Sequence, residues 1–225
     1  MKKLFFGLLF IFTSFTSNAA LITHNGYTLN EDTNVISGNG MEWLQWDVTF
    51  LTSIDVALSL YGADGWKLAS NQQMSELFNS FGLASSNLWD ADENTSQFLT
   101  SPFEHGEDIT NDPELRFLSL FGFTRGLTEG WWDLQKETSA IFGNDLDGDG
   151  LYNIASVSDD YELAPFMRQK TNSVSLRNDV YTNSQYGGYG IALVRTTSVP
   201  EPSTLAIFAL GMLALASRKF NKNNS

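Results

Sequence analysis

Gly65-Trp66-Lys67-Leu68-Ala69-Ser70-Asn71-Gln72-Gln73-Met74-Ser75-Glu76-Leu77-Phe78-Asn79-Ser80-Phe81-Gly82 decides the fold class, because it joins a short apolar approach to a fully punctuated helix. Ser70 and Gln73 stand at the spacing of a capping box. Met74, Leu77, Phe78 and Phe81 recur as one apolar stripe, and Gly82 sits where a C-terminal glycine ends a helix. A helix upstream, over 54–61, is expected from Thr52 as a candidate N-cap with Asp55 three residues on. Ile54, Leu58 and Tyr61 follow at helical spacing, and Gly62 closes it. A third helix is expected from Asp112-Pro113, with Pro at the first helical position, through Leu115, Leu118 and Phe121 to Gly122.

Strand signals flank these helices. Residues 26–29 and 41–46 read as strands separated by the turn-rich Ser37-Gly38-Asn39-Gly40. Residues 131–134 and 151–157 read as later strands, and 189–196 as the closing one, with Ile191, Leu193 and Arg195 opposed to Ala192 and Val194. Strands first, helices next and strands last predict a single α+β domain with two to three helices and paired N- and C-terminal strands. Residues 84–111 are polar and read as a long surface excursion. No internal repeat divides residues 20–198.

Both ends of the chain read as addresses. Met1-Lys2-Lys3, the apolar run 4–12 and Ser17-Asn18-Ala19 have the three parts of a signal peptide over 1–19, cut by signal peptidase before Ala20. At the other end, Val199-Pro200-Glu201-Pro202 precedes an uninterrupted apolar run of 12 residues, 205–216, and then Arg218, Lys219 and Lys222. The two prolines bar a helix and leave Glu201 on extended backbone, where a protease can read it. The run is shorter than the roughly 20 residues a bilayer core asks for, so it reads as a marginal transmembrane helix, its basic flank holding the C-terminus in the cytoplasm. This order of parts resembles the PEP-CTERM sorting signal of Gram-negative surface proteins. The resemblance implies processing of 199–225 by an exosortase, a membrane-embedded cysteine transpeptidase-like protease. It also implies transient anchoring in the inner membrane and hosts that make exopolysaccharide and biofilm matrix.

Composition narrows the function classes. The formal net charge is −13, and five of the 13 basic residues lie in the two terminal segments, whereas all 26 acidic ones but Glu201 lie between them. So acidic a domain repels nucleic acid and anionic lipid, and suits divalent cations or neutral sugars. No cysteine is present, which removes a lipoprotein anchor, disulfides and thiol catalysis together. Six tryptophans and 13% aromatic residues argue for a packed core rather than disorder.

A second resemblance runs through the middle of the chain. Glu42-Trp43-Leu44-Gln45-Trp46-Asp47, the helix at 54–60, Gly65-Trp66-Lys67-Leu68-Ala69-Ser70 before Glu76-Leu77-Phe78, and Gly190-Ile191-Ala192-Leu193-Val194-Arg195 resemble bacterial C-type-lectin-like surface domains. Those domains carry Trp-Arg-Leu-Pro-Thr before a Glu-Leu helix. Here Lys67 replaces the Arg, and Ala69-Ser70 replaces Pro-Thr. The resemblance implies a scaffold on which Trp66 and Leu68 are buried beneath the second helix, and it does not imply an activity.

The sharpest internal motif is Asp145-Leu146-Asp147-Gly148-Asp149-Gly150-Leu151-Tyr152-Asn153. Asp145, Asp147 and Asp149 at loop positions 1, 3 and 5, the Leu151 carbonyl at 7 and Asn153 at 9 have the ligand spacing of a calcium loop. The twelfth position is Ser156 instead of a bidentate Glu, so Asp159, Asp160 or Glu162 is expected to substitute. The same residues also read as a polar hairpin turn, because Asp-Gly favours hairpins. Enzyme signals are scarce. No Gly-x-Ser-x-Gly, His-Glu-x-x-His or phosphate-cradling loop occurs, and His24 and His105 lack partners at ligand spacing. Carboxylate pairs such as Asp90-Ala91-Asp92-Glu93 are what an acidic surface supplies by chance. Gly187-Gly188-Tyr189-Gly190 reads as a flexible lead-in to the last strand, and Trp131 and Trp132 as core residues.

The sequence therefore predicts an exported, non-enzymatic surface or matrix protein, a binding or structural module associated with exopolysaccharide or biofilm, with calcium as candidate cofactor. Two alternatives stand beside it: a secreted glycan-active hydrolase, and an adhesive protein of the ice-binding kind, since tails of this sort are also named after ice-binding proteins. Glu201→Ala removes the only charge of the sorting motif, so unprocessed precursor should accumulate in the inner membrane of a strain with an active exosortase. Immunoblotting of membrane and released fractions checks this, and normal processing would refute it.

Overall fold

The Asn-Gly pairs of the N-terminal half set the first sheet. Asn25-Gly26 and Asn39-Gly40 all have positive φ, the geometry of a two-residue type I′ turn, so each closes a hairpin. In the computed structural model, residues 21–85, 88–101, 110, 112–126, 136–145, 147–164, 167–181 and 188–197 are described. Their elements are, in chain order, β1 (Leu21–His24), β2 (Tyr27–Asn30), β3 (Val35–Gly38), β4 (Met41–Leu44), α1 (Ile54–Tyr61), β5 (Lys67–Leu68), α2 (Asn71–Phe81) and β6 (Gln97–Ser101). Then follow α3 (Pro113–Phe121), β7 (Arg125–Gly126), β8 (Lys136–Phe142), β9 (Leu151–Ala164), β10 (Met167–Tyr181), β11 (Gly190–Ile191) and β12 (Leu193–Thr196). The signal peptide expected at 1–19, His105, the strand expected at 131–134 with Trp131 and Trp132, and the sorting segment 199–225 with its expected transmembrane helix lie outside the described residues. Among the described residues no helix is long and apolar enough to cross a membrane.

Helices and strands are mixed, in the α+β manner, around two sheets. The first has the order β1-β2-β3-β4-β12-β5; the second runs β11-β8-β9-β10-β6, with β7 added to β8. The N- and C-terminal strands pair as expected, antiparallel, with Arg195 opposite Glu42 and its guanidinium 2.6 Å from that carboxylate. The closing strand is not continuous. It leaves the second sheet after Ile191, where β11 runs parallel to β8, and enters the first at Leu193. Its alternation holds with both faces buried: Ala192 and Val194 join one apolar cluster, Ile191 and Leu193 the other.

The helices follow their local signals with informative exceptions. In α2, Ser70 Oγ accepts from Gln73 N–H and Gln73 Oε1 from Ser70 N–H, the full capping box, and Met74, Leu77, Phe78 and Phe81 are buried. Asp112 caps α3, with Pro113 at its start. For α1 the cap is Ser53 rather than Thr52. The Ser53 side chain accepts from Val56 N–H, while Thr52 Oγ1 donates to the Thr49 carbonyl. The chain does not stop at Gly62 but continues through a short 3₁₀ turn, 62–64. Within 84–111, β6 is a regular edge strand paired with β10; only Leu99 of Phe98-Leu99-Thr100 packs against the core, too weak an alternation to read from the sequence.

Aromatic rings dominate the larger core. Phe117 and Phe121 of α3 stack at 4.2 Å, and Trp46, Phe78 and Phe81 meet them at 5.0–6.4 Å. Trp66 is buried, but beneath α1 and not α2. It belongs to the smaller cluster with Ile54, Ala57 and Leu193, Leu68 is only half-buried beside it, and Arg195 lies 4.4 Å over its ring. Trp66→Ala should destabilise the fold by about 3–5 kcal/mol through the cavity it leaves. Chemical denaturation measures this, and an unchanged midpoint would contradict the packing described.

Candidate metal centre

The Asp-rich motif links β8 to β9, a hairpin in which Ala140, Ile141 and Phe142 oppose Ala155, Ile154 and Asn153. Its base is built against α2. Gly143 leaves β8 with φ +87, and a Cβ there would lie 2.6 Å from Asn71 Oδ1 and 3.1 Å from Asn153 Oδ1, so only glycine lets the loop turn at this point. Gly143 N–H also bonds the Ala69 carbonyl at 2.8 Å, tying the loop to the residue before the α2 cap.

Above that base the side chains fold the loop on itself. Asp145 accepts from the N–H groups of Gly148 and Gly150 through its two oxygens, and Asp147 Oδ1 accepts from Asp149 N–H. Asp149 Oδ1 is taken by Leu151 N–H at 2.7 Å, which aims this carboxylate along the start of β9. Of the residues read as ligands, Asp145 and Asp147 come together. Asp149 is outside their cluster, Leu151 opens the strand, and Asn153 is buried within it.

The third carboxylate comes from elsewhere. Glu93 brings an oxygen within 4.8 Å of those of Asp145 and Asp147, from a segment more than fifty residues upstream. Two hydrogen bonds hold that segment on the hairpin: Asn153 Nδ2 to the Glu93 carbonyl at 2.8 Å, and Asn94 Nδ2 to Asp147 Oδ2 at 3.1 Å. Glu93 is buried and Asp147 exposed, so the cluster sits at the edge of the fold with one side open to water. Asp159 cannot stand in for the missing twelfth ligand. It lies on β9 six residues beyond Asn153, about 20 Å along an extended strand. Asp160 and Glu162 are further along, and their side chains lie outside the described residues. The sequence contained one signal for Glu93, the run Asp90-Ala91-Asp92-Glu93. Its proximity to the hairpin was not legible, since it depends on the pairing of β6 with β10.

Asn153 Oδ1 and Asn71 Nδ2 are buried with no hydrogen-bond partner among the described residues. Both flank Gly143, so the floor of the loop retains polar capacity that the protein itself leaves unused. Oxygen ligands of this kind, three carboxylates with amide and backbone carbonyls near them, are those hard divalent cations take.

A second group of buried acids has a different role. Asp112 and Glu114 are almost fully buried beside Asn172, whose Nδ2 lies 3.0 Å from Asp112 Oδ2 and 3.3 Å from Glu114 Oε2. The remaining oxygens accept from Leu115 N–H and Ala84 N–H, so all four are committed to holding α3, β10 and residue 84 together. His24, on β1, has its pKa lowered by burial and by the charge of Arg116.

Residues 198–219 match the family model of the PEP-CTERM protein-sorting motif, so the C-terminal segment carries the exosortase address that its Pro-Glu-Pro, apolar and basic parts announce. No curated protein and no solved structure matches the chain.

Burial raises the pKa of Glu114 above its ordinary 4.5, with Asp112 adding to the rise. The native state therefore holds this proton more tightly than the unfolded chain, and stability drains away as pH rises from 4.5 through the folded value. Glu114→Gln should remove that slope, so the wild-type minus variant difference in unfolding free energy should decline across this window. A difference independent of pH, measured by urea denaturation, would contradict it.

Proposed function

We propose that this chain is a non-enzymatic binding or structural module of the Gram-negative cell surface, exported with a signal peptide and sorted by an exosortase, whose α+β domain takes up calcium at the β8–β9 hairpin. The export half rests on the PEP-CTERM motif at 198–219. The calcium half rests on one observation: the convergence of Glu93 with Asp145 and Asp147, which supplies from a distant segment the carboxylate that the loop's twelfth position lacks.

The lectin-like reading of the domain draws support from the paired β4 and β12 and from Trp66-Lys67-Leu68 leading into the capped α2. A role beside exopolysaccharide in a biofilm matrix follows from the kind of host that makes exosortases. The non-enzymatic reading draws on the buried acids: Asp112 and Glu114 spend their oxygens on packing, which leaves no free acid and base pair between them.

Three carboxylates held close repel one another, and a bound cation relieves that repulsion in the native state alone. Calcium should therefore raise the melting temperature of the full chain in detergent, at matched ionic strength to separate binding from screening. For a weak extracellular-type site with Kd on the order of 10⁻⁴ to 10⁻³ M, the gain at ten times Kd is about 1.4 kcal/mol. Glu93→Gln should weaken the effect as much as Asp145→Asn does. If Glu93→Gln leaves the calcium response intact, the ion is not held here; if the wild type shows no response, the loop is a solvated turn.

A further inference from the structure

The two long strands of the second sheet share a pattern that the sorting and calcium readings do not use. β9 carries Ser156-Val157-Ser158 and β10 Ser173-Val174-Ser175, antiparallel and in register, Ser158 opposite Ser173 and Ser156 opposite Ser175. Period-2 alternation sends Val157 and Val174 into the larger core and all four serines to the opposite face. The neighbouring strands extend these rows: Glu137 and Ser139 of β8 oppose Ser158 and Ser156, and Phe98 of β6 opposes Ser175. Hydroxyls meet across the strands, Ser158 to Ser173 at 2.7 Å and Ser139 to Ser156 at 2.8 Å.

This serine floor lies in a hollow of about 170 Å³ rimmed by Phe98, Arg125, Glu137 and Arg177. A second hollow of about 620 Å³, lined by Phe50, Phe123 and Tyr189, shares Arg125 and Glu137 with it, so the two adjoin across this pair and are taken together as one groove. Its ends are aromatic and its middle is polar. Phe98, Phe123 and Phe50 are 53%, 47% and 38% exposed and line the two hollows. The charge runs against that of the chain: two guanidiniums face one carboxylate here, although the protein carries −13. Arg125 is only loosely engaged by Glu137, at 3.9 Å, with its side chain 64% exposed.

We propose that this groove binds a saccharide chain bearing carboxylates, a uronic-acid-containing glycan. Each part of such a ligand has a counterpart. The apolar face of a sugar ring stacks on Phe98 at one end and on Phe123 or Phe50 at the other. Its hydroxyls exchange hydrogen bonds with Ser156, the half-buried serine of the rows, whose hydroxyl both donates and accepts, while Ser139, Ser158, Ser173 and Ser175 form the buried floor beneath it. Its carboxylates meet Arg125 and Arg177, whose planar forks match a carboxylate in two parallel bonds. The groove goes beyond the calcium reading and is tested separately from it, because no groove residue belongs to the Glu93 cluster.

Isothermal titration of the full chain in detergent, with and without calcium, with a galacturonate tetramer and with the same tetramer as its methyl ester, tests the assignment. The acid should bind, and the ester should bind about tenfold more weakly for loss of the charged contacts. Arg125→Gln and Phe98→Ala, both at exposed positions, should each lower affinity for the acid by roughly tenfold without moving the melting temperature. No heat with either oligomer overturns the proposal. So does equal affinity for acid and ester, or unchanged affinity in both variants. A calcium-independent affinity with these losses supports the groove even where the cation site fails its own test.

Discussion

Ala192 is the residue through which the two sheets become one body. Its N–H bonds the Ile141 carbonyl of β8 at 2.9 Å, and its carbonyl accepts from Ala69 N–H, at the threshold of α2, at 2.8 Å. On its N-terminal side Ile191 is clasped by the buried Thr49, whose Oγ1 accepts from Ile191 N–H at 2.7 Å and lies 3.0 Å from its carbonyl. The crossing is so close that a Cβ at Gly190 would land on the Trp46 carbonyl oxygen. Buried backbone groups must be paired, so a strand that changes sheets in the interior needs partners from both at once. Everything downstream of this splice depends on it, including the position of β8 relative to the start of α2.

The Asp-rich loop is one such consequence. Ala69 bonds Ala192 through its N–H and Gly143 through its carbonyl, so the splice, the α2 cap and the base of the hairpin are joined by consecutive backbone hydrogen bonds. The loop can then present Asp145 and Asp147 at the fold's edge, while β6, paired to β10 on the far side of β9, brings the 88–97 segment back across it. A cation held by Glu93 and the two aspartates would link two segments that the polypeptide joins only through α3 and the intervening strands. Because the ion binds only where both segments are in place, its binding free energy adds to the stability of the folded chain.

The same sheet has two unlike faces. Val157, Val174, Ala155 and Leu176 pack against the aromatic rings of α2 and α3, while the serine rows face the groove. Strand alternation alone creates this division.

What the sequence determined by itself is local. The capping box at Ser70, the Asp112-Pro113 start, the alternation of 191–195, the Asp145–Asp149 spacing and the tail around Pro200-Glu201-Pro202 are each encoded within a dozen residues, where propensity, capping and period act without help. Two of its errors were local: a cap displaced from Thr52 to Ser53, and a stop at Gly62 overridden by one further turn. Only the tertiary structure decided which helix covers Trp66, that the last strand divides between two sheets at Ala192, that Glu93 and not Asp159 completes the carboxylate cluster, and that two Ser-Val-Ser triplets meet in register. Each of these depends on contacts between residues far apart in the chain. Strand pairing sets those contacts, and pairing is chosen by the burial of the whole core rather than by any segment's own preference.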